Sequence, residues 1–255
     1  MGYPKDFLES RAVIKCGQYA VLPPEGRVIN VIPGFEGFKT TILTSPKMGA
    51  QSVFYVSAVS PRARTTVPFG GNGVETFVYF MDGEGILTVK VGAESFELSQ
   101  GGYVFVPADK YMELFNNSNG TYRILLYKQK YVELEGHKAE IFTGNVNDIQ
   151  EREYDGMDNM FVKDLLPTHI GFDMNMHILS FEPAGCHPFI ETHVQEHSAY
   201  ITNGQGFYQL GDQWIQVKKD DFLWMAPFVQ QGCYATGRER FTYIYSKDCN
   251  RDEII

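Results

Sequence analysis

The stretch GCHPFIETHVQEHSAYITNGQG, residues 185–206, decides the fold because it combines possible metal ligands with a strand pattern. Its spacing is Glu191-x-His193-x3-His197, closed by Gly204. Side chains two positions apart on a strand face the same side, so Glu191 and His193 point together. His197 lies just across a bend and can converge with them. A carboxylate and two imidazoles inside a β-barrel suit one divalent ion, and they would be costly to bury without a partner.

Short apolar or aromatic segments bounded by Gly, Pro or Asn surround this stretch on both sides, which predicts an all-β chain. No helical periodicity of useful length appears before residue 140. The predicted strands are 52–59, 75–81, 86–91, 103–107, 122–128, 174–183, 198–204, 206–210, 213–219, 221–227 and 241–247.

The two halves of the chain repeat. VETFVYFMDGEG (74–85) aligns without a gap on QEHSAYITNGQG (195–206). A repeat of about 120 residues indicates duplicated domains, and the many short strands in each are typical of a double-sheet jelly roll. The identical pairs in this alignment are Glu75 and Glu196, Tyr79 and Tyr200, Gly83 and Gly204, and Gly85 and Gly206.

Composition excludes several classes of protein. The 255 residues carry a net charge of −9, which argues against a nucleic-acid partner. No apolar run is long enough to cross a membrane. The four cysteines form no close pair, as expected for free thiols in a reducing compartment. We therefore expect a soluble cytoplasmic protein.

The spacing around Glu191 resembles the first motif of the cupin superfamily, in which a Gly is followed by His-x-His, a Glu and a second Gly. The types are permuted here, since Glu191 stands at the first His position and His197 at the Glu position. The second cupin motif resembles DFLWMAPFVQQG (221–232), which contains no His. Gln231 is the nearest candidate for a fourth ligand, and Gln230 is adjacent to it.

The resemblance covers both halves, so the chain is expected to be a bicupin of two tandem double-stranded β-helix (jelly-roll) domains. The first half has lost the ligand types, and we expect it to be structural. The residues opposite Glu191, His193, His197 and Gln231 are Gly70, Asn72, Thr76 and Tyr111. The predicted parts are an N-terminal cupin (1–135), a linker (136–170) and a C-terminal cupin with the metal site (171–255).

The types of donor atom narrow the choice of metal ion. One Glu, two His and an amide oxygen form an oxygen-rich set without thiolate, which favours Mn(II) or Fe(II) over structural zinc. Four protein ligands in an octahedral shell leave two positions for substrate or water.

A second group of candidates lies in FTYIYSKDCN (241–250), where Tyr243, Tyr245 and Lys247 share one strand face. If that face is inward, Lys247 brings a cation into the barrel, where a substrate carboxylate is its natural partner. The alternative is a lysine exposed to water at the strand end. Two further histidines are assigned other places: His177 is expected to be structural and His187 to lie in a surface loop.

Four longer segments together resemble the ureidoglycine aminohydrolase family, and they run from the first cupin to the C-terminus. They are PGFEGFKTTILTSPKMGA (33–50), GFDMNMHILSFEPAG (171–185), IETHVQEHSAYITNGQG (190–206) and YIYSKDCNRD (243–252). The resemblance implies a homo-oligomeric Mn(II) enzyme. It would hydrolyse (S)-ureidoglycine, a small ureido acid, to (S)-ureidoglycolate and ammonia in purine (allantoin) catabolism.

By the same resemblance, the family's residues match positions of this chain without departure. The implied metal ligands are Glu191, His193, His197 and Gln231. The implied substrate contacts are Glu191, Gln231, Tyr243 and Lys247. We expect catalytic roles for Glu191, Lys247 and Tyr243, with Glu191 acting as both ligand and proton shuttle.

Two other functions stay open from the sequence. A cupin dioxygenase with Fe(II) or Mn(II), acting on a small organic acid, could use two His and one carboxylate if Gln231 does not bind. The third hypothesis is a non-catalytic binding or regulatory cupin that senses a small acid. The sequence has no helix-turn-helix or basic region that would support a regulator.

Overall fold

The computed structural model describes residues 9–253. Within that range the chain forms strands and one 3₁₀ turn, Pro24–Gly26, and contains no α-helix. No helix in these residues is long and apolar enough to cross a membrane. The strands are β1 (Val13–Lys15), β2 (Tyr19–Leu22), β3 (Phe35–Thr44), β4 (Ser52–Thr65), β5 (Phe69–Gly70), β6 (Val74–Gly83), β7 (Leu87–Val91), β8 (Glu94–Leu98), β9 (Gly102–Val106), β10 (Tyr111–Asn116), β11 (Tyr122–Lys130), β12 (Phe142–Asn145), β13 (Arg152–Tyr154), β14 (Met157–Asp164), β15 (Met174–Phe181), β16 (His197–Asn203), β17 (Gln205–Leu210), β18 (Gln213–Lys218), β19 (Phe222–Met225), β20 (Gln231–Thr236) and β21 (Phe241–Asp248).

The chain divides into two compact units, and the first contains residues 28–46 and 51–148. Its antiparallel sheet has the order β12-β9-β6-β11-β4-β10-β7-β8, with β3 paired to β4 and β5 to β10. Alternating side chains of these strands fill one apolar core, as expected where strands bury a face. Fully buried members of that core include Val59, Val78, Phe80, Leu114 and Ile124.

The second unit contains the described residues up to Arg27, residues 47–50 and the chain from residue 149 onward. An eight-stranded sheet, β1-β2-β19-β16-β21-β15-β14-β13, faces a three-stranded sheet, β18-β17-β20. The core between them takes Tyr208, Leu210 and Val217 from the small sheet. The large sheet contributes residues such as Ile201 and Leu223. The prediction of two tandem all-β jelly-roll units is confirmed, and every predicted strand overlaps an observed one.

Equivalent glycines in the two units show that the repeat is structural. Gly83 is the last residue of β6 and Gly204 directly follows β16, with φ of 109° and 72°. A Cβ on Gly83 would lie 2.6 Å from Tyr122 Cα, and one on Gly204 would meet the carbonyl oxygen of Arg240. Both positions therefore need glycine for conformation and for space.

The observed boundaries differ from the predicted ones, because the proposed linker (136–170) contains three strands. β12 pairs with β9 in the first unit, whereas β13 and β14 extend the large sheet of the second. Asp155 and Gly156, both with positive φ, connect β13 to β14. An Asp-Gly pair in this position is a strong hairpin signal, which the acidic composition of the segment obscured.

Residues 9–27 also fall in the second unit, although the sequence placed them in the N-terminal domain. β2 pairs with β19 along Ala20 and Trp224, so the start of the described chain completes the large sheet. Next to this pairing, the Arg11 guanidinium makes two 2.8 Å hydrogen bonds to the fully buried Asp221 carboxylate. Such long-range pairing carries no local sequence signal.

We expect Arg11→Met to lower the free energy of unfolding by about 2 kcal/mol, because it leaves a buried carboxylate without its charged partner. Urea denaturation measures the change. Arg64→Met is the matched control, since Arg64 pairs with Glu36 where both side chains are about 60% exposed; its expected cost is below ~1 kcal/mol. Equal losses in the two variants would contradict the assigned role of Arg11.

Candidate metal and substrate site

Two backbone hydrogen bonds set Glu191 directly opposite Gln231. The Glu191 N–H donates to the Gln231 carbonyl at 2.8 Å, and the Gln231 N–H donates back at 2.9 Å. Opposed residues of an antiparallel pair project to the same side, so the carboxylate and the amide are brought together. The two residues are 40 positions apart in sequence. Strands β16 to β19 lie between them, and Gln231 is the first residue of β20.

The two histidines are placed by neighbouring elements. The Phe228 N–H donates to the His193 carbonyl at 2.7 Å, which ties the ligand segment to the turn after β19. His197 opens β16 and is flanked by Met225 on β19 and Lys247 on β21. Its Nδ1 lies 3.0 Å from the Ser246 carbonyl oxygen, which can only accept a hydrogen bond. The proton of His197 is therefore on Nδ1, and the lone pair of Nε2 faces the site.

The donor atoms lie close enough to share one cation. His193 Nε2 is 3.2 Å from His197 Nε2, 2.7 Å from Gln231 Nε2 and 3.8 Å from Glu191 Oε2. Ligands at roughly 2.1 Å from an ion are about 3 Å apart when adjacent and about 4 Å apart when opposite. A half-turn of the Gln231 amide exchanges nitrogen for the oxygen that binds cations. The residues present thus fit one divalent ion.

Burial sets the charge states of these groups. It lowers the pKa of His197 to about 3 and also lowers the pKa of His193, so both rings are neutral near pH 7. Neutral imidazole is the form that binds metal. Burial raises the pKa of the Glu191 carboxyl, and the nearby charge of Lys247 lowers it in part. A cation in the site would hold this carboxylate ionised.

A small cavity that is open to solvent lies over the four candidate ligands. Tyr243, Tyr245 and Lys247 all line it, so the prediction that the three share one strand face is confirmed, and the structure shows that this face is inward. The alternative, a lysine exposed to water at the strand end, is wrong. Seven candidate residues therefore face one space: Glu191, His193, His197, Gln231, Tyr243, Tyr245 and Lys247.

The sequence missed part of the aromatic wall. Tyr208 and Tyr154 line the cavity, and Tyr208 packs at 6.1 Å, ring to ring, against Tyr243. Burial raises the pKa of both Tyr208 and Tyr243 well above the usual value, which keeps their hydroxyls protonated. The period-2 alternation of FYQL in β17 could have indicated the inward direction of Tyr208.

The expectation for His187 is wrong. Its half-buried ring lines the cavity, and its Nδ1 accepts a 2.9 Å hydrogen bond from the Cys233 N–H. The residue lies outside a regular strand, so no periodicity could indicate its direction. His177 is structural as expected: its Nδ1 lies 2.8 Å from the Asp164 carboxylate on the neighbouring strand.

The hydrogen bond from His177 lowers the pKa of Asp164 to about 2. Because the folded pKa lies below the unfolded value, this stabilisation is complete above about pH 4 and is lost as pH falls through about 2. We expect Asp164→Asn to lower the free energy of unfolding at pH 6 by about 1–2 kcal/mol, a range that allows for solvent screening. Urea titrations at pH 6, 4 and 2.5 should show the difference shrinking with acidity. A constant difference would contradict this assignment.

The first unit brings the aligned positions together without the ligands. Gly70 pairs with Tyr111 as Glu191 pairs with Gln231, and Lys128 on β11 pairs with Thr76 as Lys247 pairs with His197. The Tyr111 ring also occupies the space next to Gly71. Since no carboxylate or imidazole stands at these positions, the second unit contains the candidate site.

Comparisons with known proteins identify the family and agree with the fold. No family model matches the chain. It is 46% identical over 255 residues to the (S)-ureidoglycine aminohydrolase of Escherichia coli K12, covering 100% of this chain and 97% of the relative. The crystal structure of the E. coli protein YlbA superposes with a TM-score of 0.87 at 44% identity, over 100% of both chains.

A more distant structure shows the fold alone. The cupin 2 conserved barrel domain protein from Leptotrichia buccalis has a TM-score of 0.58 at 12% identity, covering 83% of this chain and 89% of that one. The chain is therefore built on the cupin fold. With nearly half of its residues identical to a curated relative over the full length, the chain belongs to the (S)-ureidoglycine aminohydrolase family.

Proposed function

We propose that this protein hydrolyses (S)-ureidoglycine to (S)-ureidoglycolate and ammonia, with Mn(II) as the resident cation, in purine catabolism. One observation carries the proposal. Donor atoms of Glu191, His193, His197 and Gln231 converge in a cavity that also contains Lys247, in a chain that belongs to this family.

The four donors would hold the cation, with His197 fixed by its hydrogen bond to the Ser246 carbonyl. When bound, a divalent cation supplies Lewis-acid polarisation and orients water or substrate groups. Oxygen and nitrogen donors without thiolate favour Mn(II) over structural zinc.

The remaining steps use the side chains of this protein. Lys247 can pair with the substrate carboxylate, and the Tyr243 hydroxyl, kept protonated by burial, can donate to the substrate. Together they would fix which face of the reacting carbon meets water. Glu191 has a second carboxylate oxygen that can take a proton from water and pass it to the departing nitrogen. A C–O bond forms, the C–N bond breaks and ammonia leaves.

The test generates ureidoglycine in situ from allantoate with an allantoate-hydrolysing enzyme. Ammonia release and product chirality are followed with Mn(II) and with a chelator. We expect fast, Mn-dependent release that gives only the S product. A racemic product at the background rate, with Mn(II) confirmed bound, would overturn the proposal. Oxygen consumption by the same sample would instead support the dioxygenase reading.

We place this reaction in the cytoplasm, in a homo-oligomer. All four cysteines are free thiols, as a reducing compartment favours. Aromatic side chains on the outer face of the small sheet, Phe207, Trp214 and Tyr234, are 41–54% exposed. Exposed apolar clusters of this kind favour association. Light scattering of the purified protein measures the assembly.

A further inference from the structure

His187 lies in the segment 185–191, which runs alongside β20 and pairs with it at both ends. Gly185 accepts a 2.8 Å hydrogen bond from the Ala235 N–H, and the His187 N–H donates to the Cys233 carbonyl at 3.1 Å. The chain then bulges outward over residues 188–190 and rejoins the strand at Glu191. Two anchored ends therefore hold His187 over the cavity that also contains the candidate metal ligands.

The hydrogen bond from Cys233 fixes the tautomer of the His187 ring. A backbone N–H can only donate, so the Nδ1 atom that receives it at 2.9 Å must present a lone pair. The ring proton is then on Nε2. Burial lowers the pKa of His187 to about 4, which keeps the ring neutral near pH 7. Contacts with the Phe181 and Tyr208 rings, at 5.1 and 6.4 Å between centroids, restrict its rotation.

Nothing in the described part of the chain uses this Nε2–H. Among residues 9–253 no group accepts a hydrogen bond from it, and the ring borders the open cavity. The site thus contains two different donors of fixed character. Lys247 is a flexible cation, whereas His187 is a neutral and rigid N–H.

We propose that His187 binds the ureido carbonyl oxygen of the substrate through Nε2–H, an assignment that rests on the proposed function. Ureidoglycine offers two kinds of acceptor, an anionic carboxylate and a neutral urea oxygen. The carboxylate is matched by the charge of Lys247. The neutral oxygen needs a donor whose desolvation is inexpensive, which a half-buried neutral imidazole provides. Holding both ends would orient the reacting carbon over Glu191.

Two substitutions separate this role from a purely structural one. His187→Asn retains an acceptor that the Cys233 N–H can reach but removes the Nε2–H donor. His187→Gln retains an N–H near the position of Nε2 but gives up the acceptor. If His187 is purely structural, kcat/KM should be higher in His187→Asn than in His187→Gln. If it binds substrate, kcat/KM should be higher in His187→Gln.

We expect His187→Asn to keep its melting temperature and bound Mn(II), and to lose about tenfold in kcat/KM through a higher KM. His187→Gln should melt at a lower temperature but stay within about threefold of wild type in kcat/KM. The opposite order, or an Asn variant equal to an active wild type, would overturn the proposal. An inactive wild type would instead refute the proposed function.

A second readout does not depend on turnover. In two-bond ¹H–¹⁵N spectra of the full chain, with diamagnetic Mg(II) in place of paramagnetic Mn(II), His187 should show a protonated Nε2 and an unprotonated Nδ1 at pH 7. Adding N-carbamoylglycine, which keeps the ureido carbonyl and the carboxylate, should shift the Nε2 resonance. A proton on Nδ1, an imidazolium, or an Nε2 signal unmoved by saturating probe would contradict the assignment.

Discussion

Glu191→Ala should lose Mn(II) retention and turnover together. The carboxylate is opposite Gln231 and 3.8 Å from His193 Nε2, so its removal takes away a ligand and leaves the two imidazoles without an anionic partner. Loss of a ligand that also moves a proton should lower kcat by about 10²–10⁴. Metal content after gel filtration and ammonia release under saturating Mn(II) measure the two effects.

The same exchange at Glu239, an exposed residue of the same unit, is the control and should change neither quantity. Glu191→Gln refines the test because it retains an oxygen ligand but no proton acceptor. It should keep part of the metal and still lose turnover. A Glu191→Ala protein with full Mn(II) and full rate would refute both roles of this residue.

Lys247→Met should keep the metal and lose the substrate. The lysine lines the cavity next to His197 on the paired strand, and methionine conserves most of its apolar stem. Removing one partner of an enclosed charge pair costs about 2–5 kcal/mol. We therefore expect kcat/KM to fall by about 10²-fold or more, with KM rising and Mn(II) content unchanged.

The repeat provides a matched control for this variant. Lys128 occupies the equivalent register in the first unit and lies 4.8 Å from the Tyr55 ring, where no ligand set is present. Lys128→Met should leave kcat/KM within about twofold of wild type. If Lys128→Met and Lys247→Met were equally impaired, the effect would be one of stability and not of substrate charge.

Much of the fold could be predicted because its determinants are local. Alternating apolar residues indicated the strands, and Gly83 and Gly204 marked equivalent strand ends in the two units. The domain boundaries could not be predicted in this way. β2 joins β19 across about 200 residues, and composition carries no trace of such a pairing. The hairpin of β13 and β14 did have a local signal, at Asp155-Gly156, which the acidic surroundings outweighed.

The same distinction between local and long-range signals applies to the residues of the candidate site. Glu191, His193 and His197 are close in sequence, and they converge as expected, although Glu191 forms only an isolated bridge and His193 lies outside the strands. The alternation of Tyr243, Tyr245 and Lys247 was enough to place the three on one strand face, whereas the inward direction of that face came only from the structure. His187 was misplaced because an irregular segment orients it, through a bond to the backbone of a strand 46 residues away. Side chains outside regular strands have no period from which to infer direction.

The most direct test of the central claim is a titration of metal-free protein with Mn(II), with metal binding and ammonia release measured in the same samples. The four-residue site in the second unit predicts that the rate rises linearly and breaks at one Mn(II) per chain, with only the S product formed. Full stereospecific rate in the metal-free protein, or saturation with Mn(II) that leaves the rate at background, would contradict it.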